Sequence, residues 1–396
     1  MIVAHLSLVD YRNYETAEIS LAPGPNVFVG SNGQGKTNLV EAIGYLGTLG
    51  SHRVSTDQPL IRSGRDSAIV RARLEHDGRE VLLEVQLNRS GANRAQVNRV
   101  GVKPRELPRH IATVLFAPED LALVRGEPSG RRRFLDQLLV QLIPRLSATM
   151  ADYDRVLRQR NSLLKSARGA RIAENQLSTL ELWDERLVQL GSAIVDARAD
   201  LVERLRPHVA AAYERIAGPG QTADLALELS ILGAQPDDDG VPDALESEKL
   251  ATGSAGRRTP EDFAAAIARV RRSELDRGIT LVGPHRDDLM LVLNGLPARG
   301  YASHGESWSF ALSLKLASAA LLRAESPIGD PVVVLDDVFA ELDEVRRASL
   351  ATAIGDYEQV LITAAVLGDV PAELAGHTVR IRAGEILAAD AGEEES

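Results

Sequence analysis

Cysteine is absent from the 396 residues of this sequence, which excludes disulfide bridges and thiolate metal sites. Lysine is scarce, because it supplies only five of the 45 basic residues. The sequence also lacks any run of eighteen consecutive apolar residues and any N-terminal segment with the basic and apolar parts of a secretion signal. These absences predict a soluble cytoplasmic protein, and the length is sufficient for two domains.

One of the few lysines lies in a glycine-rich loop. Residues 30–37 read Gly-Ser-Asn-Gly-Gln-Gly-Lys-Thr, which is the G-x-x-x-x-G-K-[ST] pattern of a phosphate-binding loop. Its glycines permit the backbone angles that turn successive N–H groups toward phosphate oxygens. Lys36 is predicted to reach the β- and γ-phosphates, and the Thr37 hydroxyl is predicted to bind Mg²⁺. The predicted nucleotide-binding residues of this segment are Gly30, Ser31, Asn32, Gly33, Gln34, Gly35, Lys36, Thr37 and Asn38.

The sequence on either side of the loop fits this interpretation. Residues 26–30 form an apolar segment that predicts a buried strand, and the residues from Asn38 onward have helical periodicity. The loop would therefore bring phosphate to a helix N-terminus, where the helix dipole favours negative charge. A glycine-rich turn without a ligand is the alternative interpretation.

A second segment carries paired acids. Residues 332–335 are apolar and are followed by Asp336 and Asp337, the pattern of a buried parallel strand with acids at its carboxyl end. Asp336 is predicted to hold Mg²⁺ through a coordinated water. Asp337 is the candidate general base, so the predicted catalytic residues are Lys36 and Asp337. Aspartate is one methylene shorter than the glutamate that many such ATPases carry, and we therefore expect slow turnover. An acidic strand-to-loop junction without a metal is the alternative.

A third segment, Ser303-His-Gly-Glu306, opens an amphipathic helix. A hydroxyl residue and a glycine at a helix start make a second anion-binding end, although the same motif also occurs as an ordinary helix cap. The segment lies about thirty residues before Asp336, where ATP-binding-cassette and SMC-type ATPases carry their signature. That resemblance implies that Ser303, Gly305 and Glu306 contact the γ-phosphate bound to a second copy of the chain, so that ATP binding closes a head-to-head homodimer.

Taken together, the motifs resemble those of the RecF family of bacterial recombination-repair proteins along nearly the whole chain. The segments that carry the resemblance are 10–14, 30–38, 51–53, 118–120, 130–136, 283–288, 303–306 and 331–337. The resemblance implies that further residues line the nucleotide pocket, namely Arg12, Asn13, Ser51, His52 and Arg53. ATP and Mg²⁺ are the implied cofactors.

The resemblance also implies a fold and a function. The expected fold class is α/β, with a P-loop ATPase head of the ATP-binding-cassette type, a mixed sheet with flanking helices, an inserted mainly helical lobe and no long coiled coil. The expected function is ATP-dependent binding to duplex DNA near single-strand gaps during repair, with weak DNA-dependent ATP hydrolysis that releases the homodimer. RecO- and RecR-type mediators are the implied protein partners in recombinase loading.

Two positions depart from the pattern of transporter-type cassettes. Residues 360–365 offer only Thr363 where those cassettes carry a switch histidine, and no convincing coupling glutamine is present, with Glu119 a poor substitute. Both departures argue against rapid hydrolysis but not against nucleotide binding.

Hydrophobic periodicity predicts the domain organisation. Period-two patterns at 2–9, 69–74, 81–87 and 112–116 predict strands, and from Arg132 the pattern becomes helical before strand character returns at 226–232. Pro207 is expected to kink or end a long helix over 175–216. The predicted divisions are 1–118 and 279–390 for two halves of the ATPase lobe, 119–278 for the helical insert, 233–256 for a mobile loop and 391–396 for a disordered acidic tail.

The net charge of −11 conceals basic regions. Residues 53–110 contain twelve basic and seven acidic residues, a net of +5, and residues 125–171 contain eleven and four, a net of +7. Such regions can contact several DNA phosphates, which would recognise DNA structure more than sequence. Arg131, Arg132 and Arg133 are the first candidates. Solvated helix faces with scattered arginines are the alternative.

Other functions fit the sequence less well. A transporter subunit would need the missing glutamine and histidine, and a nuclease of the overcoming-lysogenisation type would need an additional acidic metal-binding domain. A kinase catalytic loop at 283–287 is rejected because Val292 stands where its asparagine would be required. An ATP-switched scaffold that does not hydrolyse ATP stays open.

Overall fold

The computed structural model describes residues 1–170, 178–233, 250–251, 258–382 and 384–387. These residues divide into two compact units. The first unit comprises Met1–Leu121, Ala212–Pro219 and Ala311–Ser396, and the second comprises Ala122–Ala211 and Gly220–Phe310. Among the described residues, no helix combines the length and the apolarity that crossing a membrane requires.

The strands and helices are numbered in chain order. The strands are β1 (Ile2–Tyr11), β2 (Tyr14–Ser20), β3 (Gly24–Val29), β4 (Ser67–His76), β5 (Arg79–Asn88), β6 (Arg94–Val97), β7 (Val100–Val102), β8 (Thr113–Phe116), β9 (Ala223–Glu228), β10 (Leu250–Ala251), β11 (Asp288–Leu293), β12 (Leu296–Pro297), β13 (Val332–Asp336), β14 (Gln359–Ala364), β15 (His377–Arg382) and β16 (Glu385–Leu387). The helices are α1 (Lys36–Thr48), α2 (Leu121–Arg125), α3 (Pro128–Leu142), α4 (Leu146–Ala170), α5 (Ser178–Ala217), α6 (Thr259–Arg277), α7 (Ala298–Tyr301), α8 (His304–Glu325) and α9 (Glu344–Ile354).

The first unit contains an antiparallel sheet in the order β2-β1-β4-β5-β6-β7. Strand β4 shows why it forms, because alternate residues Ala68, Val70, Ala72 and Leu74 are buried while the residues between them are more exposed. This period of two is the pattern of a strand with one face on a core and the other toward water. The structure thus has a strand over each of the four period-two patterns at the start of the chain.

A second sheet of the first unit has the order β16-β15-β3-β14-β13-β8, and its five strands from β15 to β8 are parallel. All five residues of β13 are buried, in keeping with a central parallel strand. Strand β14 lies between β3 and β13, with Ala364 in register with Val29 and Thr363 in register with Asp336. The carboxyl ends of β3 and β13 therefore lie at one edge of the sheet, with one strand between them.

Helix α1 packs on this framework through an apolar face. Leu39, Val40, Ile43 and Leu46 are fully buried and share a core with residues of both sheets. Because α1 begins directly after the glycine-rich loop, its burial fixes the direction in which the loop leaves β3. The loop is thus anchored at both ends by packed elements.

The second unit combines helices with a sheet in the order β10-β9-β11-β12. Its helices enclose an ionic core, in which the fully buried Arg160 donates to Asp184 at 2.7 Å, Thr280 at 2.7 Å and Glu274 at 2.5 Å. A buried guanidinium needs such partners, since an unpaired buried charge is strongly destabilising. Helix α5 continues through Pro207 to Ala217, so the alternative that Pro207 ends the helix is wrong, and the alternative of a kink stays a prediction. Buried Leu205 and Val209 flank the proline, and their packing compensates for the hydrogen bond that proline cannot donate.

The motif at 283–288 has a place in this second unit that the sequence did not reveal. Asp287 is buried and accepts the Ser230 amide at 2.9 Å and the Ser230 hydroxyl at 2.8 Å. His285 is half-buried, and this burial lowers its pKa to about 3 while its Nδ1 lies 2.7 Å from the Tyr153 hydroxyl oxygen. Ser230–Leu232 forms a short 3₁₀ turn. The strand expected at 226–232 is β9, which ends at Glu228, before this turn.

The compact units differ from the expected divisions at the second boundary and at Ala212–Pro219, which belongs to the first unit although it falls within the expected insert. Strand β11 pairs with β9, which places residues 279–310 in the second unit rather than with the ATPase lobe. The signature motif therefore belongs to the second unit and Asp336 to the first. The first boundary falls after Leu121 and lies close to the expected position. The expected mobile loop, apart from Gly233 and residues 250–251, and the acidic tail lie outside the described residues.

Candidate nucleotide-binding site

The glycine-rich loop runs from the end of β3 to the start of α1, and close contacts require its glycines. A Cβ atom at Gly30 would lie 2.2 Å from the backbone oxygen of Ile381. Gly35 has a φ of 112°, and a Cβ there would lie 2.6 Å from the Tyr14 hydroxyl oxygen and 2.8 Å from the Asn13 amide nitrogen. Any side chain at these two positions would displace the loop from its neighbours.

Lys36 is buried and points back into the loop. Its Nζ donates to the carbonyl of Gly30 at 2.6 Å and lies 3.3 Å from the carbonyl of Ser31. The ammonium group is thus held among backbone dipoles rather than paired with a carboxylate. This position suits a cation that binds phosphate oxygens, because anions gather at the adjacent helix N-terminus.

The two predicted metal ligands meet at the edge of the parallel sheet. The Thr37 hydroxyl donates to Asp336 Oδ1 at 2.8 Å, although the two residues are 299 positions apart in the sequence. The Thr363 hydroxyl donates to the same oxygen at 2.7 Å. Burial alone would raise the pKa of Asp336, but His52, Thr363 and Thr37 outweigh it and lower that pKa, so the carboxylate is ionised. A hydroxyl and an ionised carboxylate at this spacing fit Mg²⁺, which binds few protein oxygens and keeps waters and phosphate oxygens as its other ligands.

Asp337 occupies a constrained position beside this pair. Its backbone has a φ of 51°, a left-handed conformation that is uncommon for aspartate, and its amide donates to the Thr363 hydroxyl at 2.9 Å. Burial raises the pKa of Asp337, Lys36 opposes this shift, and the charge of Asp336 adds to it. A carboxylate with a raised pKa is better suited to accept a proton from water than an unperturbed one. Thr363 therefore holds both acids by hydrogen bonds, from the position where transporter-type cassettes carry a switch histidine.

The buried carboxylate of Glu41 connects two of the predicted pocket segments. Glu41 lies on α1 and accepts a two-pronged contact from Arg12, with Nε at 2.8 Å and Nη2 at 2.6 Å. It also accepts the hydroxyl of Ser51, and the guanidinium of Arg53 lies 3.9 Å away. Charged and two-pronged pairs of this kind are strong and directional. Glu41 thus holds Arg12 and the loop at 51–53 in one arrangement.

Arg53 and the two nearby asparagines extend the site away from the loop. The Arg53 guanidinium donates to Asn38 Oδ1 at 2.9 Å, and Asn38 donates to Asn13 Oδ1 at 2.7 Å. A cavity of about 610 Å³ opens beside this chain of contacts. Its lining includes Arg12, Asn13, Asn38, Arg53, Gln58 and Arg89. A basic and polar cavity of this size next to a phosphate loop can take a sugar and a base.

Two residues of the 51–53 segment do not line this cavity. Ser51 is buried, and its hydroxyl accepts the amides of Arg53 and Val54 at 2.9 Å and 3.1 Å while it donates to Glu41. Ser51 therefore stabilises the conformation of the loop that contains residues 51–53. His52 lies instead beside the predicted metal ligand Asp336, with its Nε2 3.4 Å from Asp336 Oδ2.

The signature segment forms a reciprocal cap at the start of α8. The Ser303 hydroxyl accepts the Glu306 amide at 3.3 Å, and the Ser303 amide donates to Glu306 Oε2 at 2.8 Å. These bonds from Ser303 lower the pKa of the Glu306 carboxyl. Gln221 donates to the other Glu306 oxygen at 3.0 Å. Ser303 is exposed at this helix start, and the first-turn amides of His304 and Gly305 have no acceptor within the helix.

The structure corrects one of the three candidate DNA contacts and weakens a second. Arg131 is buried and donates to both oxygens of Asp288, at 2.8 Å and 2.6 Å, so its guanidinium is not available to a phosphate. Arg132 is half-buried and donates to the Asp287 carbonyl at 2.7 Å. Arg133 is exposed and keeps its place as a candidate.

Glu119, the weak candidate for a coupling residue, lies in a short 3₁₀ turn directly after β8. Strand β8 is the parallel neighbour of β13, so Glu119 follows the strand next to the Asp336 strand. Its side chain is exposed, whereas the adjacent Asp120 accepts the Ala117 amide at 2.9 Å and pairs with Lys315 at 2.8 Å. The turn is thus fixed by Asp120, and Glu119 is left facing solvent.

Comparison with known proteins agrees with this geometry. The sequence matches the family model of the RecF/RecN/SMC N-terminal domain over residues 2–376. A DNA replication and repair protein RecF from Clavibacter michiganensis subsp. michiganensis is 62% identical over 396 residues, which cover 99% of this chain and 97% of that protein. This chain belongs to the RecF family.

Further relatives support the membership. The RecF protein of Leifsonia xyli subsp. xyli is 62% identical over 390 residues, covering 98% of this chain and 99% of that protein. A solved structure of the recombination mediator protein RecF with ATP, from the RecFOR pathway, is similar with a TM-score of 0.81 at 26% identity and covers 98% of both chains. These similarities confirm the predicted family and the predicted fold class of a mixed α/β head with flanking helices.

The sequence did not predict Gln58 and Arg89, which line the cavity of this RecF-family site, or Glu41, which holds Arg12. The sequence did contain a signal for Glu41, because it is an acid within the otherwise apolar segment of α1. A carboxylate that is buried in such a segment needs a partner that compensates its charge. The partners of Glu41, Arg12 and Ser51, are 29 and 10 residues away along the chain, so sequence spacing did not indicate them.

Replacing Glu41 with glutamine keeps the side-chain size and removes the charge that holds Arg12. We expect the dissociation constant for ATP to rise about tenfold in calorimetry, since a hydrogen bond to a charged group contributes roughly 1.5 kcal/mol or more. Glu80→Gln, on an exposed residue of β5, is the matched control and should leave the affinity unchanged. In a double-mutant cycle with Arg12→Gln the two effects should be strongly non-additive, and simple addition would contradict a shared role.

Proposed function

We propose that this chain is an ATP-dependent DNA-binding protein of recombinational repair, in which ATP binding closes a homodimer and slow hydrolysis releases it. The observation that supports this most is the 2.8 Å contact between the Thr37 hydroxyl and Asp336, at the end of a glycine-rich loop. The relatives are named for DNA replication and repair, and the similar solved structure is that of a RecF–ATP complex.

The nucleotide would bind along the loop and the cavity beside it. The backbone N–H groups of residues 30–38 and the Lys36 ammonium would hold the phosphates. Arg12, Asn13 and Arg53 would contact the sugar and base, with Glu41 keeping Arg12 in place. Thr37 and Asp336 would hold Mg²⁺, which neutralises phosphate charge and orients the phosphate oxygens when bound.

Hydrolysis would depend on Asp337. Its carboxylate would orient the attacking water and accept its proton, and the raised pKa makes that transfer easier than for an ordinary aspartate. Thr363 would keep Asp337 and Asp336 in register by its two hydrogen bonds. Because the base is short and Glu119 faces solvent, we expect slow turnover, which suits a conformational switch.

The second copy would supply Ser303, Gly305 and Glu306. The exposed Ser303 and the first-turn amides of α8 form an anion-binding end, and the Glu306 carboxylate shapes that end through its bond to the Ser303 amide. The resemblance to SMC-type ATPases supports placing this end on the γ-phosphate of the partner. ATP would then stabilise the closed homodimer by binding it more tightly than the open state.

The proposed macromolecular partners are duplex DNA at gaps and RecO- and RecR-type mediators. The similar RecF structure is described as part of a RecFOR pathway, which supports mediator partners for this chain. Arg133 is the remaining first-choice DNA contact in the second unit, since Arg131 is occupied by Asp288.

Replacement of Asp337 with asparagine tests the hydrolytic role. We expect the turnover number to fall about 100-fold or more, because a general base contributes at least that factor, while ATP affinity stays within a few-fold. Lys36→Ala is the comparison variant, and it should lose ATP affinity in calorimetry. Unchanged turnover in Asp337→Asn would remove Asp337 as the base and favour a scaffold that binds ATP without this chemistry.

Replacement of Ser303 with arginine tests the role of the second copy. We expect the monomer to bind ATP with wild-type affinity, whereas light scattering should detect no ATP-dependent dimer, because a bulky cation would block the helix start. Ser20→Arg adds the same charge at an exposed site on β2 and should dimerise normally. A Ser303→Arg protein that still dimerises with ATP, or that loses ATP binding as a monomer, would contradict the proposal.

A further inference from the structure

A two-stranded ribbon at the edge of the antiparallel sheet carries an unusual concentration of basic residues. Strands β6 and β7 form this ribbon, and β7 is the last strand of the sheet. Residues 89–110, which contain the ribbon and its flanks, hold six basic residues and one acidic residue, a net of +5 in a chain whose net charge is −11. The basic residues are Arg89, Arg94, Arg99, Lys103, Arg105 and Arg109.

Three of these cations lie at the two ends of the ribbon. Ala95 of β6 is buried and pairs with Val102 of β7, which is the last pair of the ladder at that end. Arg94 directly precedes Ala95 and Lys103 directly follows Val102, so these two cations lie at the open end of the ribbon. Arg99 lies in the tight turn between the strands, where Asn98 and Arg99 have φ values of 51° and 66°. All three side chains are exposed. We define Arg94, Arg99 and Lys103 as the ribbon cations.

The ribbon cations have no counter-charge among the described residues. None of the ion pairs or side-chain hydrogen bonds in that part of the chain involves Arg94, Arg99 or Lys103. The nearest acid across the ladder is Glu84 of β5, which faces Gln96, and its carboxylate is already paired with Arg71. Exposed like charges on one small ribbon repel each other, and water and salt screen part of that repulsion. A bound polyanion would replace the remaining repulsion with attraction.

Protection of a sheet edge explains part of this arrangement. Lysine and arginine on an edge strand prevent pairing with another chain, and one or two such residues are sufficient for that purpose. Edge protection does not require the turn residue Arg99 or the excess of cations along the flanks. The ribbon therefore has more positive charge than its place in the sheet demands.

We propose that the β6–β7 ribbon contacts the phosphate backbone of duplex DNA through Arg94, Arg99 and Lys103. This inference rests on the proposed DNA-binding function and locates a contact surface in the first unit, apart from Arg133. Residues 89–110 contain no phenylalanine, tyrosine or tryptophan, so they offer no aromatic surface on which unpaired bases could stack. Without such a surface the ribbon is better suited to the phosphates of duplex DNA than to stacking on unpaired bases, and phosphate contacts carry no sequence preference.

The test replaces all three ribbon cations with glutamine and measures DNA affinity over a range of salt concentrations. Each phosphate contact contributes about 0.9 to the slope of log K against log salt, so the slope should decrease by about 2.7 for a duplex. The control variant is Arg79→Gln, Arg272→Gln and Arg277→Gln, which changes three other exposed arginines and gives the same net charge of −14, from −11 − 3. ATP affinity and ATP-dependent dimerisation should be unchanged in both variants.

The outcomes separate this inference from the proposed function. A lower salt slope in the ribbon variant only, with normal ATP binding, supports the ribbon as a DNA contact. An unchanged slope in the ribbon variant, with normal DNA binding by the wild type, overturns the inference and leaves the proposed function intact. Equal losses in the ribbon and control variants also overturn it, because the effect would then follow net charge. A wild-type protein that does not bind duplex DNA overturns both proposals.

Discussion

The hydrogen bond from the Thr37 hydroxyl to Asp336 is the contact on which the candidate site depends. It joins two residues 299 positions apart, one at the start of α1 and the other at the end of β13. Their approach is possible because β3, β14 and β13 are parallel neighbours whose carboxyl ends lie at one edge. Any shift in the register of β14 would separate the loop from Asp336, since Thr363 of that strand also donates to the same carboxylate oxygen. The packing of one buried sheet thus determines the chemistry of the site.

The remainder of the pocket is organised from the opposite side by Glu41. This carboxylate lies one turn along α1 from Thr37 and holds both Arg12 and the Ser51 hydroxyl. The first residue of helix α1 therefore follows directly on the phosphate loop. One turn later, Glu41 of the same helix positions the proposed sugar and base contacts. The signature segment belongs to the other compact unit. If a second copy supplies that segment, as we propose, ATP would favour the closed homodimer by binding it more tightly than the open state.

Local patterns predicted much of this fold, and long-range partners account for what they missed. The glycine-rich loop and the paired acids were predictable because each lies within one strand-to-helix or strand-to-loop unit with its own residue pattern. Arg131 was misassigned because its partner Asp288 is 157 residues away, and an arginine on a helix looks the same in sequence whether it is paired or free. The second domain boundary was misplaced for a similar reason, since β11 pairs with β9 across a long interval. The continuation of α5 through Pro207 depends on buried neighbours that compensate for a local preference.

The central claim is that two copies of the chain complete each ATP site, and complementation between two defective chains tests it most directly. Lys36→Ala disables the phosphate loop, and Ser303→Arg disables the signature, so each protein alone should hydrolyse ATP very slowly. In a mixed dimer, one site would combine the intact loop of the Ser303→Arg chain with the intact signature of the Lys36→Ala chain. The account predicts that the mixture hydrolyses ATP well above the sum of the two separate proteins. Turnover equal to that sum would contradict the shared site.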